Sequence, residues 1–330
     1  MDFVSFAPVA LFIVAALSVY AVSKRNFRKK IVGTDINKKG TPIVAESCGG
    51  ALILSVWILI ALFNYLFGFQ WKLIAVGAAV TVFAVIGFFD DNKHKFLSKP
   101  MSWKSRAIPI AIASLALAAI LFPPAGIFDI VGIVWVIVLA LFFAGLASFS
   151  NTFEGLNGWT VGSSFIMVSI ISFAATRISF ELSFLFLCLA AIILGLLIFN
   201  RYPAKVFPGD SGTLLIGASV AGIALYSQSL MFVVFVFLCF LPHMVDFFLL
   251  KMITNRKDAS QHRQRPYRLL ANGRLTIPKY PDKKERLDFA KLMMKIFGPL
   301  YEWEAVIVIW CIVLLNAFFW ANVFTILGLF

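Results

Sequence analysis

The sequence predicts an all-α, polytopic membrane protein with about ten transmembrane helices, both termini outside and its catalytic loops in the cytoplasm. Three observations predict this. The composition is 61% hydrophobic and 14% charged, with a mean hydropathy of +0.92, whereas soluble domains carry about 25% charged residues. The apolar residues fall in runs close to the roughly 20 residues that a spanning helix needs. The cations gather in alternate loops, which orients the runs.

The runs predict helices near 3–22, 49–67, 72–89, 107–123, 127–148, 160–177, 180–199, 211–227, 229–250 and 304–327. The first has Asp2 ahead of it, lacks a basic leader and is long, so it reads as a helix rather than a secretory signal. The runs 211–227 and 229–250 are parted only by polar residues around Ser227 and Gln228. No internal repeat or low-complexity linker divides the chain, so residues 1–330 read as one integral membrane domain. With ten helices the termini share a side. Loops 23–48, 90–106, 149–159, 200–210 and 251–303 share the other, and they hold 27 of the 29 Lys and Arg. Only Lys72 and Arg177 lie elsewhere. The positive-inside rule puts the rich set in the cytoplasm, with 251–303 as a long basic loop.

The net charge of +13 follows from this asymmetry and requires no nucleic acid. Basic inner loops suit anionic membrane lipids or phosphorylated substrates. The four cysteines, Cys48, Cys188, Cys239 and Cys311, form no CxxC pair, which argues against a thiolate metal site or a disulfide framework. Cys48 adjoins a polar loop and is the one whose thiol merits a reactivity test.

Four polar clusters fall on the cytoplasmic side. Gly87-Phe88-Phe89-Asp90-Asp91 closes the third run; adjacent carboxylates need a cation, either a hard metal such as Mg²⁺ or the lysines and arginine of the same loop. Asn151-Thr152-Phe153-Glu154-Gly155-Leu156-Asn157-Gly158 reads either as a plain turn or as a loop folding close to a ligand. In Tyr202 through Gly212, Asp210 begins a helix, where an acid can cap the free amides or face a bound ligand. His262-Arg263-Gln264-Arg265-Pro266-Tyr267-Arg268 presents guanidinium forks that match phosphate oxygens, although topology alone accounts for much of the charge between 251 and 303. The helices themselves are nearly free of ionisable groups, Asp246 being the exception. A transporter scatters polar groups through mid-membrane helices more often than this.

These clusters, in this order, resemble the polyprenyl-phosphate N-acetylhexosamine-1-phosphate transferases over nearly the whole chain. The resemblance is strongest to the UDP-GlcNAc:dolichyl-phosphate GlcNAc-1-phosphate transferase branch of eukaryotes and archaea. It is carried by Glu46-Ser47-Cys48-Gly49-Gly50, Asp90-Asp91, the Asn151, Gly155, Asn157 and Gly158 loop, Tyr202 through Asp210, His262-Arg263, and Gly298-Pro299. The peptidoglycan branch has a His-rich last loop, which this chain lacks. The family's basic residue after the Asp pair aligns with Lys104 or Arg106, and the neighbouring residues favour Lys104.

The resemblance implies transfer of a sugar-1-phosphate from UDP-GlcNAc to a polyprenyl or dolichyl phosphate, with release of UMP. It implies Mg²⁺, with Mn²⁺ as the alternative ion, held by Asn151 and Asp210. It places Asn157 at the uracil and Glu46 near the nucleotide sugar. His262, Arg263 and Arg265 would clamp the pyrophosphate and sugar, and Lys104 or Arg106 a phosphate. Asp90 and Asp91 would serve the lipid phosphate. A phosphomonoester has a second pKa near ~6, so direct attack on the donor needs little base strength. The resemblance also implies a homodimer, and a cell membrane of archaeal type or an endoplasmic reticulum membrane. An undecaprenyl-phosphate acceptor is the alternative within the family. A transporter, a lipid scramblase or a non-catalytic scaffold is the alternative outside it.

Overall fold

The computed structural model describes residues 3–92, 103–126, 129–254, 266–278 and 286–330; the side chains of Trp103 and Lys104 lie outside this description. The described residues are mostly helical. Helix α1 (Phe3–Arg28) leads into a two-stranded antiparallel hairpin, β1 (Val32–Thr34) and β2 (Ile43–Ala45), then a 3₁₀ turn (Cys48–Ala51). Next come α2 (Leu52–Phe67), α3 (Trp71–Asp91), α4 (Trp103–Leu121), α5 (Ile130–Thr152), α6 (Trp159–Ala175), α7 (Phe180–Asn200) and α8 (Gly209–Tyr226). Helix α9 (Leu230–Cys239) is followed by the short α10 (Leu241–Met244) and a π-helix (Val245–Met252). A second small hairpin, β3 (Arg268–Leu269) and β4 (Leu275–Thr276), precedes α11 (Phe289–Phe297) and α12 (Glu302–Ile326).

Polar residues at the run boundaries set several helix starts. The side chains of Asp129, Ser179, Ser229 and Asp288 each accept a bond from a first-turn backbone N–H of the helix that follows. Such caps satisfy donors that the helix itself leaves free.

Among the described residues, six helices are long and apolar enough to cross a membrane, or seven if the bent α9–π-helix pair is one span. The number is therefore lower than the ten expected by these criteria, although every expected run lies on a helix. The runs at 107–123 and 160–177 fall on shorter apolar helices. The run at 229–250 is not straight. It bends by 53° between α9 and the segment beginning at Leu241. Pro242 stands at that break, and proline removes a helix hydrogen bond and clashes with the preceding turn.

Helix α8 is the central post. Ser211 through Leu225 are all buried. It packs on α3 and α5, with α6, α7 and α1 forming the next layer and α12 closing against α6. Small residues let these backbones approach closely, which is how helices associate in lipid. Helix α7 is 72% buried over its most apolar window, against 22% for α1 and α12, so the latter two lie at the rim.

Candidate active site

The elements meet at one end of the bundle. The C-terminal ends of α3 and α5 arrive there beside the N-terminal ends of α4 and α8, and three of the four polar clusters come together. Asp91 closes α3 and is committed to the backbone. Its Oδ1 accepts from the Asp210 N–H at 2.8 Å, and its Oδ2 accepts from the Ser211 N–H at 3.3 Å and the Ser47 hydroxyl at 2.8 Å. Asp91 thereby supplies the cap of α8 from another helix. Asp210 makes no cap bond of its own to that helix, so its carboxylate is available for other contacts.

Those contacts run to Arg106 on α4. Its guanidinium donates to Asp90 Oδ2 at 2.5 Å and to Asp210 Oδ2 at 3.1 Å. One cation therefore bridges the carboxylates of two motifs 120 residues apart in the chain. Of the two basic residues left open by the sequence, Arg106 is the one seen between the acids. The Lys104 side chain lies outside the described residues, as do His262, Arg263 and Arg265.

Asn151 is the last buried residue of α5. Its Oδ1 accepts from the Thr213 hydroxyl at 2.6 Å, and that hydroxyl also lies 3.4 Å from the main-chain oxygen of Asp210. Thr213 thus ties the amide of one helix to the first turn of the other. Asn157 is buried in the following loop. Its Nδ2 donates to Asp35 Oδ2 at 2.8 Å and its backbone N–H to Glu302 Oε1 at 2.8 Å. Lys38 pairs with both of these carboxylates and lies 4.5 Å above the Tyr202 ring. Glu46 follows β2, and its carboxyl carbon and the ring of Phe207 flank the same face of Gly33.

Close backbone approach holds this floor together. A Cβ on Gly49 would stand 2.3 Å from the Gly212 Cα, and one on Gly87 would stand 2.4 Å from the Asp210 carbonyl carbon. The 3₁₀ turn and the end of α3 can reach α8 only where neither carries a side chain. The Cys48 N–H donates to the Phe207 carbonyl at 3.0 Å and the Phe207 N–H to that of Ala45 at 2.8 Å, stitching the Tyr202–Asp210 stretch to β2. Cys48 itself is fully buried, so it is no accessible thiol.

Several residues to which the sequence assigned no role belong to the site. Ser47 and Asn92 brace the Asp pair, Asn92 Nδ2 donating to the Ser47 hydroxyl at 3.2 Å. Asp35, Lys38 and Glu302 brace Asn157, and the Asp-x-x-Lys spacing in the first loop was the signal available for them. Glu154 stands in the loop between Asn151 and Asn157. Water reaches its side chain, yet protein crowds it closely. That crowding pushes its carboxyl up to about 7, with Lys251 and Arg106 pulling down and Asp91 and Glu46 pushing up.

Such a site can hold anionic oxygens against Arg106 and offer hard oxygen donors from Asn151 and Asp210. Among the described residues no group of three His, Cys, Asp or Glu side chains is arranged to hold a metal. A two-donor protein set suits an ion that takes its remaining oxygens from substrate phosphates and water.

The glycosyl transferase family 4 model matches residues 73–228, the stretch running from α3 to the end of α8 and containing Asp90, Asp91, Arg106, Asn151, Asn157 and Asp210. Over that stretch the chain is similar to glycosyl transferase family 4. It is an enzyme, which sets aside the transporter, scramblase and scaffold readings. A relative from Saccharolobus solfataricus, provisionally named a UDP-N-acetylglucosamine–dolichyl-phosphate N-acetylglucosaminephosphotransferase, is 28% identical, covering 91% of this chain and 90% of its own. A glycosyltransferase of Methanocaldococcus jannaschii, also provisionally named, is 29% identical over the same shares. A phospho-N-acetylmuramoyl-pentapeptide-transferase of Chloroflexus aurantiacus is 31% identical, over 58% of this chain and 56% of its own. Likeness to the archaeal relatives therefore extends over more of this chain than likeness to the peptidoglycan one.

Proposed function

We propose that this protein transfers GlcNAc-1-phosphate from UDP-GlcNAc to a polyprenyl phosphate of dolichyl type, releasing UMP and forming polyprenyl-diphosphate-GlcNAc. This is the reaction that starts a lipid-linked oligosaccharide for N-glycosylation. The observation that carries the reading is the bridge from Asp90 through Arg106 to Asp210, with Asn151 tied to the same helix turn. It assembles an anion-holding cation and oxygen donors at the end of an apolar bundle, where a lipid phosphate and a soluble nucleotide sugar can meet.

In the reaction, an oxygen of the lipid phosphate attacks the phosphorus that bears the sugar. The P–O bond to the anhydride oxygen breaks, and that oxygen leaves with UMP. Charge spreads over the transferring phosphoryl oxygens, so positioning and neutralisation dominate. Arg106 faces those oxygens. Asp91 spends both of its oxygens on Ser47 and the α8 amides, which makes it the residue that sets Asp210 in place. Asp90 is then the carboxylate that orients the acceptor. By the same reading Asn157 would contact the uracil and Glu46 the nucleotide sugar, and binding the pyrophosphate and sugar would fall to His262, Arg263 and Arg265, which lie outside the described residues. Mg²⁺, or Mn²⁺ in its place, would be held by Asn151 and Asp210 and would supply charge neutralisation at the pyrophosphate.

The same reading gives ten spans, with the two shorter apolar helices and α8 completing the bundle, both termini outside and the site facing the cytoplasm. The membrane is an archaeal cell membrane, its anionic lipids lie against the basic loops, and the assembly is a homodimer. The test is UMP release from UDP-GlcNAc by the purified protein, with and without dolichyl phosphate and Mg²⁺. Release that needs both supports the reading. Release with undecaprenyl phosphate alone moves the acceptor to the family's other branch, and no release on a wide sugar and lipid panel overturns the proposal.

A further inference from the structure

A second polar construction lies behind the site, in the π-helix. Asp246 and Lys251 are five residues apart. In an α-helix, residues at that spacing point about 140° away from each other. The i→i+5 bonding of a π-helix brings them onto one face. Here Lys251 Nζ lies 2.6 Å from Asp246 Oδ2, with Asp246 fully buried and Lys251 8% exposed.

Each partner also reaches a different segment. The Lys251 ammonium donates to the carbonyl of Thr152, at the C-terminal end of α5 and adjacent to Asn151. Asp246 Oδ1 accepts from the Phe289 N–H at 2.9 Å, at the first residue of α11. Around the pair, the Phe153 ring packs on His243, Trp159 and Phe289, with centroids 4.0, 5.3 and 6.0 Å away. Tyr267 OH donates to Asp288 Oδ2 at 3.1 Å, which fixes the start of α11 from the other side.

We infer that Lys251 and Asp246 are positioning residues that lock the Asn151–Asn157 loop to the π-helix and the start of α11. The physical reason is the end of α5. Its last carbonyls lack helical partners, and a cation there both satisfies one of them and complements the helix dipole. Lys251 can stay charged in that buried place only because Asp246 neutralises it. The π-helix is what makes the pairing geometrically available. The pair therefore governs the nucleotide and metal side of the reaction. Among the described contacts it makes none with Asp90, which serves the lipid side.

This inference rests on the transferase reading above, and its test separates the two. Lys251→Met alone would strand a buried carboxylate, so the informative protein is the full-length double variant D246N/K251M, which removes both charges together. Three quantities are measured beside wild type: the Mg²⁺ concentration for half-maximal UMP release, the KM for dolichyl phosphate, and amide hydrogen exchange across residues 151–158. The expected result is an approximately tenfold rise in the Mg²⁺ requirement, a lipid KM changed less than twofold, and faster exchange in 151–158, with an unchanged thermal midpoint. A general structural defect would shift the midpoint and lower the rate without separating the two substrates, and it would overturn the inference. So would a double variant with wild-type Mg²⁺ dependence and exchange. Wild type that releases no UMP overturns the transferase reading instead; the exchange result then still decides whether the pair locks the loop.

Discussion

Asp90, Asp91 and Asp210 are three acids with three different surroundings. Asp91 is consumed by Ser47 and two backbone amides, Asp90 by Arg106, and Asp210 shares that arginine. Asp210→Asn keeps the shape and removes the charge, and UMP release should fall by about 10²–10³-fold, the usual effect of losing one preorganised electrostatic partner. Arg106→Leu should cost a comparable factor, because it leaves two neighbouring carboxylates unneutralised; steady-state rates on purified variants check both. Glu154 carries a pH dependence. Its folded-state value of about 7 lies above the ordinary 4.5, so the folded protein holds this proton more tightly than the unfolded chain. That contribution to stability is fully present below about pH 4.5 and is lost as pH rises through 7. The thermal midpoint of Glu154→Gln in detergent should therefore decline less than wild type between those pH values. Parallel curves would show that Glu154 does not titrate there.

At the scale of elements, the site depends on how closely α3 and the 3₁₀ turn approach α8. Gly87 and Gly49 leave room for backbone alone, since an added Cβ would stand 2.4 and 2.3 Å from main-chain atoms of α8. Backbone cannot rotate away as a flexible side chain can, so Gly87→Ala must push the first turn of α8 off the end of α3. The expected destabilisation is about 1–3 kcal/mol, the range for overpacking, and the Asp91 to Asp210 hydrogen bond should weaken with it. Denaturation in mixed micelles, paired with UMP release, would show whether activity falls further than stability. The bend at Pro242 belongs to this scale too. It turns the segment after α9 by 53° and delivers the π-helix to the side of α5.

Across the whole molecule, the contacts that define the site all join helix ends on one side of the bundle: α3 to α8, α4 to α3, α5 to α8, and the hairpin to α12. Under the proposed topology, an alternating path through the membrane puts these ends on the cytoplasmic face, the face that the positive-inside rule assigns to the basic loops. An introduced thiol at Asn272, an exposed position near the second hairpin, should resist a membrane-impermeant maleimide on intact cells. One at Gly126, exposed at the opposite turn, should react. Cys48, Cys188 and Cys239 are buried and leave a quiet background, and only Cys311 is exposed. Labelling of Asn272→Cys from outside would reverse the orientation.

The sequence by itself determined the membrane class, the positions of the helical runs, the gathering of cations in alternate loops and three motifs that meet at the site. Those properties are local: apolar run length, charge per loop and short polar strings are all written along the chain. The tertiary structure decided what each acid touches. Whether Asp91 caps a helix or faces a substrate depends on an amide 119 residues away, and no spacing within either motif encodes that distance. It also decided that Arg106 stands between two acids, that Asp35 and Glu302 brace Asn157, and that 229–250 breaks in two. The Asp246–Lys251 pair was hidden for a different reason. Five residues is not a helical neighbour spacing until the backbone widens to a π-helix, and what holds that widened turn in place is the packing around it.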